Sequence, residues 1–408
     1  MAKKKKKIAK KRTAKKKTSK KAPARYMIGT GREIPKISRE ICERLLSDLE
    51  QAQRPVLSAT KCALDNSAYD AKVGFLTPMD KKVKTELNVS SVKKMSRAIF
   101  LLEVLLRNVD TGAVNTKREL YYMAKGEVKH NPQLKPLDFT DQDESDSIID
   151  FICEMLEVYR EEVNCYANDR GGQTYSQHLI VEETMPNGEK ATVDLSMLGT
   201  SPFQPKNRPQ NLKLRAKKKI DFGLIVESEG TANTLVANGF TKRHRSILIG
   251  AQGVPSNAVR GWVKRIQDQL KIPLYFFGDL DAYTLQNIYR TLKAGSAASL
   301  IRNSDYSAPH VRFLGVLPED IKKYDLHDYP VKENDAGEIR ALKKARDVLA
   351  NDPFFKDKKN KGLASVLNWL LKNKRRCEQQ AFFTVNPRDV TMPEKIIVDK
   401  IKKGNWIG

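Results

Sequence analysis

The sequence predicts an α/β chain of two domains, a helical one that closes on a hairpin and then a parallel sheet covered by helices on both faces. Three observations carry this. Apolar residues recur at three- and four-residue steps from Val92 to Leu156. Two strand-like runs then flank Asn187-Gly188, the dipeptide most favoured in a tight hairpin turn. Beyond Lys219, short apolar runs alternate with helical patterns, the rhythm of βαβ units.

The 408 residues carry a net charge of +25 and are 40% hydrophobic, enough for two domains with real cores. Residues 1–25 hold fourteen Lys or Arg and no acid, which leaves +11 for the remaining 383 residues. A body this basic is attracted to polyanions, and nucleic acid is the first candidate. The lysine-rich tail cannot bury anything and is expected to be disordered. It serves either for non-specific phosphate contact or only for solubility or localisation. The five cysteines, Cys42, Cys62, Cys153, Cys165 and Cys377, are scattered and suit a reducing compartment. No run is long enough to span a bilayer, and the N-terminus lacks the apolar core of a signal peptide, so a soluble intracellular protein is expected.

In chain order, residues 26–80 form an N-terminal helical extension, with a helical pattern at 37–52. Residues 81–205 hold the first domain. Its opening helix carries Val92, Met95, Ile99, Leu102, Leu106 and Val109 on one face, with Lys93, Lys94, Arg97 and Arg107 elsewhere. After the Asp110-Thr111-Gly112 break, Thr116 and Glu119 have capping-box spacing and start a second helix. A third carries Ile148, Ile149, Ile152 and Leu156, and 159–163 reads as one more turn. Runs 178–184 and 191–195 then form the hairpin. Three helices and a hairpin is the order of a winged-helix domain, which docks on duplex DNA or serves as a protein contact. Pro202, Pro205, Pro209 and the basic run 217–219 mark a boundary, and 206–408 form the second domain. Its strands are 220–226, 246–249, 273–277 and 311–316, and Val259, Trp262, Val263, Ile266 and Leu270 outline a covering helix.

Two groups of residues carry chemistry. Arg118 and Tyr122 stand four apart on the second helix, so a guanidinium and a phenol share a face. A phenol can attack phosphorus while the guanidinium holds the non-bridging oxygens, although the same pattern also describes an ordinary packed helix. Glu227 follows the first strand of the second domain, and Asp279 and Asp281 follow the third. Side chains just past the carboxyl ends of neighbouring parallel strands converge on one crevice. Three oxygen ligands without His or Cys suit Mg²⁺. The alternative makes the two aspartates helix caps and the glutamate a surface acid. The five histidines form no constellation, and no G-x-x-x-x-G-K-[ST] phosphate loop is present.

Ile225-Val226-Glu227 followed by Gly278-Asp279-Leu280-Asp281 resembles a Toprim domain, the acidic metal-binding module of topoisomerases and primases. With Thr116-Lys117-Arg118-Glu119-Leu120-Tyr121-Tyr122 upstream in a winged-helix domain, the chain resembles the family of type IIB topoisomerase A subunits, which includes the meiotic double-strand-break transesterase. The likeness covers 81–400 and takes in 141–150 (DQDESDSIID), 293–296, 313–316, 377–381 and 392–396. It implies that Tyr122 is the nucleophile, that Arg118 clamps the phosphate, and that Glu227, Asp279 and Asp281 hold Mg²⁺. It further implies a transient double-strand break in duplex DNA through 5′-phosphotyrosyl links, made by a homodimer in which Tyr122 of one protomer meets the carboxylates of the other. ATP would be used by a separate GHKL-type B subunit in an A2B2 assembly, with relaxation and decatenation of chromosomal DNA in the cytoplasm, or in a nucleus, as the outcome. A standalone transesterase, another Toprim nuclease or primase, and a non-catalytic DNA-binding protein are the other readings. The chain departs from the family pattern at Ser228, Ala251, Gln252, Ala282 and Thr284, which puts phosphate contacts and metal geometry in question.

Overall fold

Two apolar clusters organise the chain; their buried members divide between Cys165 and Tyr175, while Tyr69 of the N-terminal stretch packs against the second. The computed structural model describes residues 34–166, 172–184, 189–205, 212–332 and 335–408. The tail 1–25 and the Asn187-Gly188 turn lie outside the described residues.

The first cluster is built on helices. In the stretch expected as a helical extension, only α1 (Ile34–Glu50) is an α-helix. Four short strands follow: β1 (Val56–Thr60), β2 (Ser67–Asp70), β3 (Phe75–Pro78) and β4 (Lys82–Glu86), pairing antiparallel as β1 with β4 and β2 with β3. Then come α2 (Val92–Thr111), β5 (Asn115–Thr116), α3 (Lys117–His130), α4 (Gln142–Leu156) and β6 (Cys165–Tyr166). Helix α4 buries Ile148, Ile149, Ile152 and Leu156, the face its spacing predicts. Helix α2 follows its predicted stripe in part, with Met95 and Leu102 buried and Leu106 and Val109 packed on the first cluster. Val92 and Ile99 are 44% and 41% exposed, while Met95, Ala98, Leu101, Leu102 and Leu105 are buried. Apolar residues occupy most of this helix's circumference, so its neighbours and not its periodicity choose the buried face. Arg97, which the spacing sets off the apolar face, is also buried: Nε donates to Leu137 O at 3.1 Å, Nη1 pairs with Glu144 at 3.2 Å, and the guanidinium lies over the Phe139 ring.

The second cluster is built on a sheet. Its strands begin with β7 (Gln173–Tyr175), β8 (Leu179–Thr184), β9 (Lys190–Asp194) and β10 (Leu212–Ala216). Strands β8 and β9 pair antiparallel, as expected of a hairpin, but β10 joins β8 on the other side. Their buried residues Leu179, Val181, Leu212 and Leu214 belong to the second cluster. The hairpin read as the wing of the first domain therefore packs with the second. Sequence spacing gives a hairpin's existence, not the core that its apolar face meets.

Next follow β11 (Phe222–Val226), α5 (Glu229–Ala237), α6 (Phe240–Arg243), β12 (Ser246–Gly250), α7 (Asn257–Leu270), β13 (Leu274–Phe277), α8 (Arg290–Ala294), α9 (Asn303–Tyr306) and β14 (Val311–Phe313). The main sheet runs β14-β13-β11-β12-β7, parallel except for the antiparallel edge strand β7. Every residue of β11, β12 and β13 is buried, because helices cover both faces. The chain closes with α10 (Pro318–Tyr324), α11 (Ala336–Asn351), α12 (Pro353–Lys356), α13 (Lys361–Asn373) and α14 (Met392–Lys403). No described helix is long and apolar enough to cross a membrane.

Helix α14 is fastened by an ion pair between Lys400 and Asp320, at 0% and 1% exposure, with Lys400 also donating to Gly315 O at 2.8 Å. Removing one buried partner strands the other charge. Asp320→Ala should therefore cost about 3–5 kcal/mol of stability in urea unfolding, and adding Lys400→Met should recover most of it.

Candidate active site

The capping box forms. Thr116 Oγ1 accepts from the Glu119 amide at 3.2 Å, and Glu119 Oε2 accepts from the Thr116 amide at 2.6 Å. The start of α3 is set further by β5, which pairs in parallel with β6. From this helix Tyr122 projects into solvent at 57% exposure, with the Arg118 guanidinium 5.9 Å from its ring centre. Tyr121 stands edge-on to Tyr122 at 5.2 Å and packs on the first cluster. The two neighbouring phenols are thus divided between a packed ring and an exposed one. Arg118 and Tyr122 line an open groove of about 580 Å³ with Thr116, Lys117, Glu119, Gln142, Asp146 and Tyr166. Lys117, which the sequence does not single out, pairs with Asp150 at 2.9 Å along the same wall.

The three carboxylates stand near one another, just past the carboxyl ends of β11 and β13. Glu227 Oε2 accepts from the Asp279 amide at 3.1 Å, and both its oxygens lie 3.0 Å from Thr284 Oγ1. Asp281 Oδ1 accepts from the Thr284 amide at 2.6 Å, and Asp279 Oδ1 from the Gln379 amide at 2.8 Å. Burial, then the charges of Asp279 and Asp281, push the Glu227 carboxyl up to about 8. Burial also raises Asp279 to about 6 and moves Asp281 upward.

Stretches distant in sequence build this loop. Leu280 and Cys377 exchange backbone hydrogen bonds at 2.8 and 3.1 Å, which brings Gln379 to Asp279. At Gly278 a Cβ would meet Glu227 Oε2 at 2.5 Å, and at Gly315 one would meet Gly278 O at 2.3 Å. Both positions therefore need glycine for close approach. Motifs 313–316 and 377–381 thus act through backbone geometry.

The departures from the family pattern are also accommodated locally. Thr284 is buried and holds Glu227 and Asp281 together. Ser228 caps α5, and Gln252 donates to Glu229 at 2.6 Å. Ala282 is buried. Thr284 escapes detection in the sequence because a lone threonine after a strand has no spacing signal.

Among the described residues, no three His, Cys, Asp or Glu side chains already stand as a metal-ligating cluster. The carboxylates instead rest on protein N–H and O–H donors. The donor chemistry fits a hard divalent cation: all three groups are carboxylates, and repulsion among them is the cost that a cation relieves. Among the described residues of one chain, no hydrogen bond or ring contact joins Tyr122 to these acids. Asp281 opens on a different groove of about 610 Å³, which it shares with Tyr283, Arg340, Lys344 and Arg376.

Comparison with known proteins adds to this geometry. Residues 222–399 match the Toprim-domain family of the topoisomerase 6 A subunit and Spo11, and residues 93–165 match the family described as "Type IIB DNA topoisomerase". The chain is 32% identical to the A subunit of type 2 DNA topoisomerase 6 from Methanocaldococcus jannaschii over 365 residues, 88% of this chain and 92% of the relative. It is 28% identical to the protein of the same name from Natronomonas pharaonis, covering 79% and 85% of the two chains. The Pyrococcus horikoshii protein of that name is 27% identical, with 91% and 95% covered.

Proposed function

Since the chain belongs to the family of topoisomerase 6 A subunits and Spo11, the type IIB DNA topoisomerases, we propose that it is the component that cleaves and reseals duplex DNA in an ATP-dependent type IIB topoisomerase. The observation that carries the reading is Tyr122, an exposed phenol held beside a guanidinium on a capped helix start. Its oxygen attacks a backbone phosphorus, giving up its proton. A 5′-phosphotyrosyl ester forms as the bond to the 3′ oxygen breaks, and that oxygen leaves as a hydroxyl. Arg118 steadies the phosphate oxygens with paired donors. Because one phosphoester replaces another, the 3′ hydroxyl can reverse the step and reseal the strand.

Glu227, Asp279 and Asp281 would hold Mg²⁺, which supplies positive charge at the scissile phosphate. The separate grooves of Tyr122 and Asp281 support a homodimer in which each protomer lends its tyrosine to the other's carboxylates. Strand passage then draws on ATP used by a B subunit. We read the first cluster as a winged-helix DNA-binding unit, supported by the order α2, α3, α4 and by β1 and β4 preceding the helices. The test combines the chain with a B subunit, ATP, Mg²⁺ and supercoiled DNA, quenches with detergent, and identifies the DNA-bound residue by mass spectrometry. Topoisomers relaxed through a Tyr122 adduct uphold the reading. Breaks without relaxation indicate a lone transesterase, and cleavage without any tyrosyl adduct indicates a nuclease.

Metal binding carries its own prediction. The raised carboxyls must lose protons to hold a cation, so Mg²⁺ affinity should rise between pH 6 and 8, by about tenfold per pH unit while one proton is displaced. Calorimetry in buffers of different ionisation enthalpy reads that proton. The metal-free fold shows the linked effect. A carboxyl whose folded pKa lies above its unfolded value stabilises the fold at low pH and loses that contribution as pH rises through about 8. In chelator the melting temperature should therefore fall from pH 6 to pH 8.5, and Mg²⁺ should restore more of it at the higher pH.

A further inference from the structure

Of the stretches shared with the family, 313–316 closes the acid site through Gly315, but 293–296 does not reach it. Its first residue, Lys293, is 5% exposed on α8. The ammonium donates to Pro309 O and Val311 O, both at 2.8 Å, and these acceptors are neutral. No Asp or Glu side chain pairs with Lys293 among the described residues. Burial, with Arg312 nearby, pushes its pKa down to about 8, the cost of an ammonium whose direct hydrogen-bond partners are neutral.

Lys293 lines a pocket of about 260 Å³ between the β2–β3 hairpin and the start of β14. Lys72, His310, Arg312 and Lys359 line it too, together with the last residue, Gly408, whose carboxylate is the one anionic group among the lining residues, with no Asp or Glu side chain. Two of these cations are held by neutral groups. Lys359 Nζ donates to Ala71 O at 2.8 Å, and the Arg312 guanidinium lies 3.9 Å from the Trp406 ring centre. Against the three lysines and Arg312 the lining sets only the carboxylate of Gly408, so positive charge remains for an incoming anion. The pocket has room for a phosphate group with several waters at ~30 Å³ each.

Its position sets it apart from the cleavage chemistry. Pro309 and His310 precede β14, at the amino-terminal end of the sheet, whereas Glu227, Asp279 and Asp281 follow the carboxyl ends of β11 and β13. The strands are parallel, so the two sites lie at opposite ends of one sheet. We propose that this pocket is a second phosphate-binding site, in which Lys293, Lys72, Arg312 and Lys359 take a phosphate of a nucleic-acid backbone or of a small phosphorylated molecule. The β2–β3 hairpin, which reaches the second cluster through Asn303 Nδ2 donating to Leu76 O at 3.0 Å, supplies Lys72 and completes the wall.

Lys72 and Lys359 are exposed, so Lys72→Ala with Lys359→Ala leaves the cores untouched. The full chain is titrated with inorganic phosphate in the calorimeter at constant ionic strength. In a Tyr122→Phe background, which removes cleavage, a short labelled duplex is titrated at several salt concentrations by fluorescence anisotropy. If the ligand is a small phosphate, inorganic phosphate binds saturably and the double variant weakens it by at least about tenfold. If the ligand is a nucleic-acid backbone, the salt dependence of duplex binding loses about two units of log–log slope in the double variant. Phosphate binding that survives the double variant, or no saturable phosphate binding together with an unchanged duplex slope, overturns the proposal.

Discussion

Tyr122→Phe should abolish covalent capture of DNA and reduce relaxation by at least about four orders of magnitude, the scale of losing a nucleophile. The reason is chemical, because the ring remains and only the attacking oxygen is gone. The side chain is 57% exposed, so the fold should be indifferent to the change, with a melting temperature like that of the wild type. Duplex affinity should stay within about twofold, since phosphate contacts and not the phenol hold the backbone. Detergent trapping of end-labelled DNA reads the adduct directly. Tyr121→Phe is the matched control: its ring packs on the first cluster, and cleavage should persist. If Tyr122→Phe still captures DNA covalently, another residue is the nucleophile.

The second large effect concerns which protomer completes the site. Homodimers of Asp279→Ala and homodimers of Tyr122→Phe should both leave supercoiled DNA intact. A mixed dimer, one protomer carrying each change and isolated through two different affinity tags, separates the arrangements. If Tyr122 meets the carboxylates of the other protomer, one site keeps both components and the other loses both, so the mixed dimer nicks one strand and makes no linear DNA. If each protomer used its own tyrosine and acids, both sites would be broken and no nick would form. Nicking at about half the total wild-type strand-cleavage rate is expected, because one site in two is whole. An intact plasmid would refute the shared site while leaving the chemistry of Tyr122 open.

Much of the second unit could be read from the sequence. Strands of continuous apolar residues, alternating with a helix marked by Val259, Trp262, Val263 and Ile266, specify a sheet buried on both faces, and β11 to β14 lie parallel in the structure. The carboxylates could be located because the end of a parallel strand is a place that sequence can name. The capping box at Thr116 could be read for a similar reason, since its partners stand three residues apart. Other features depended on partners far away in the chain. Helix α2 offers apolar residues all round, and only contact with its neighbours selects Leu101 and Leu105 over Ile99. The hairpin β8–β9 is local, but its affiliation with the second core is set by β10 and by the sheet. Gln379 reaches Asp279 across a hundred residues through the backbone pairing of Leu280 and Cys377, which no spacing rule could anticipate.

The sequence by itself determined the kinds of chemical group present and the local frames that carry them: a phenol and a guanidinium one helical turn apart, and three acids at strand ends. Those depend on interactions spanning a few residues, which periodicity and caps encode. The tertiary structure decided their surroundings: the exposure of Tyr122 beside a packed Tyr121, the hold of Thr284 on Glu227 and Asp281, and the gathering of cations around Lys293. Burial and charge neutralisation are properties of whatever closes over a side chain, and the closing segments here come from distant parts of the chain.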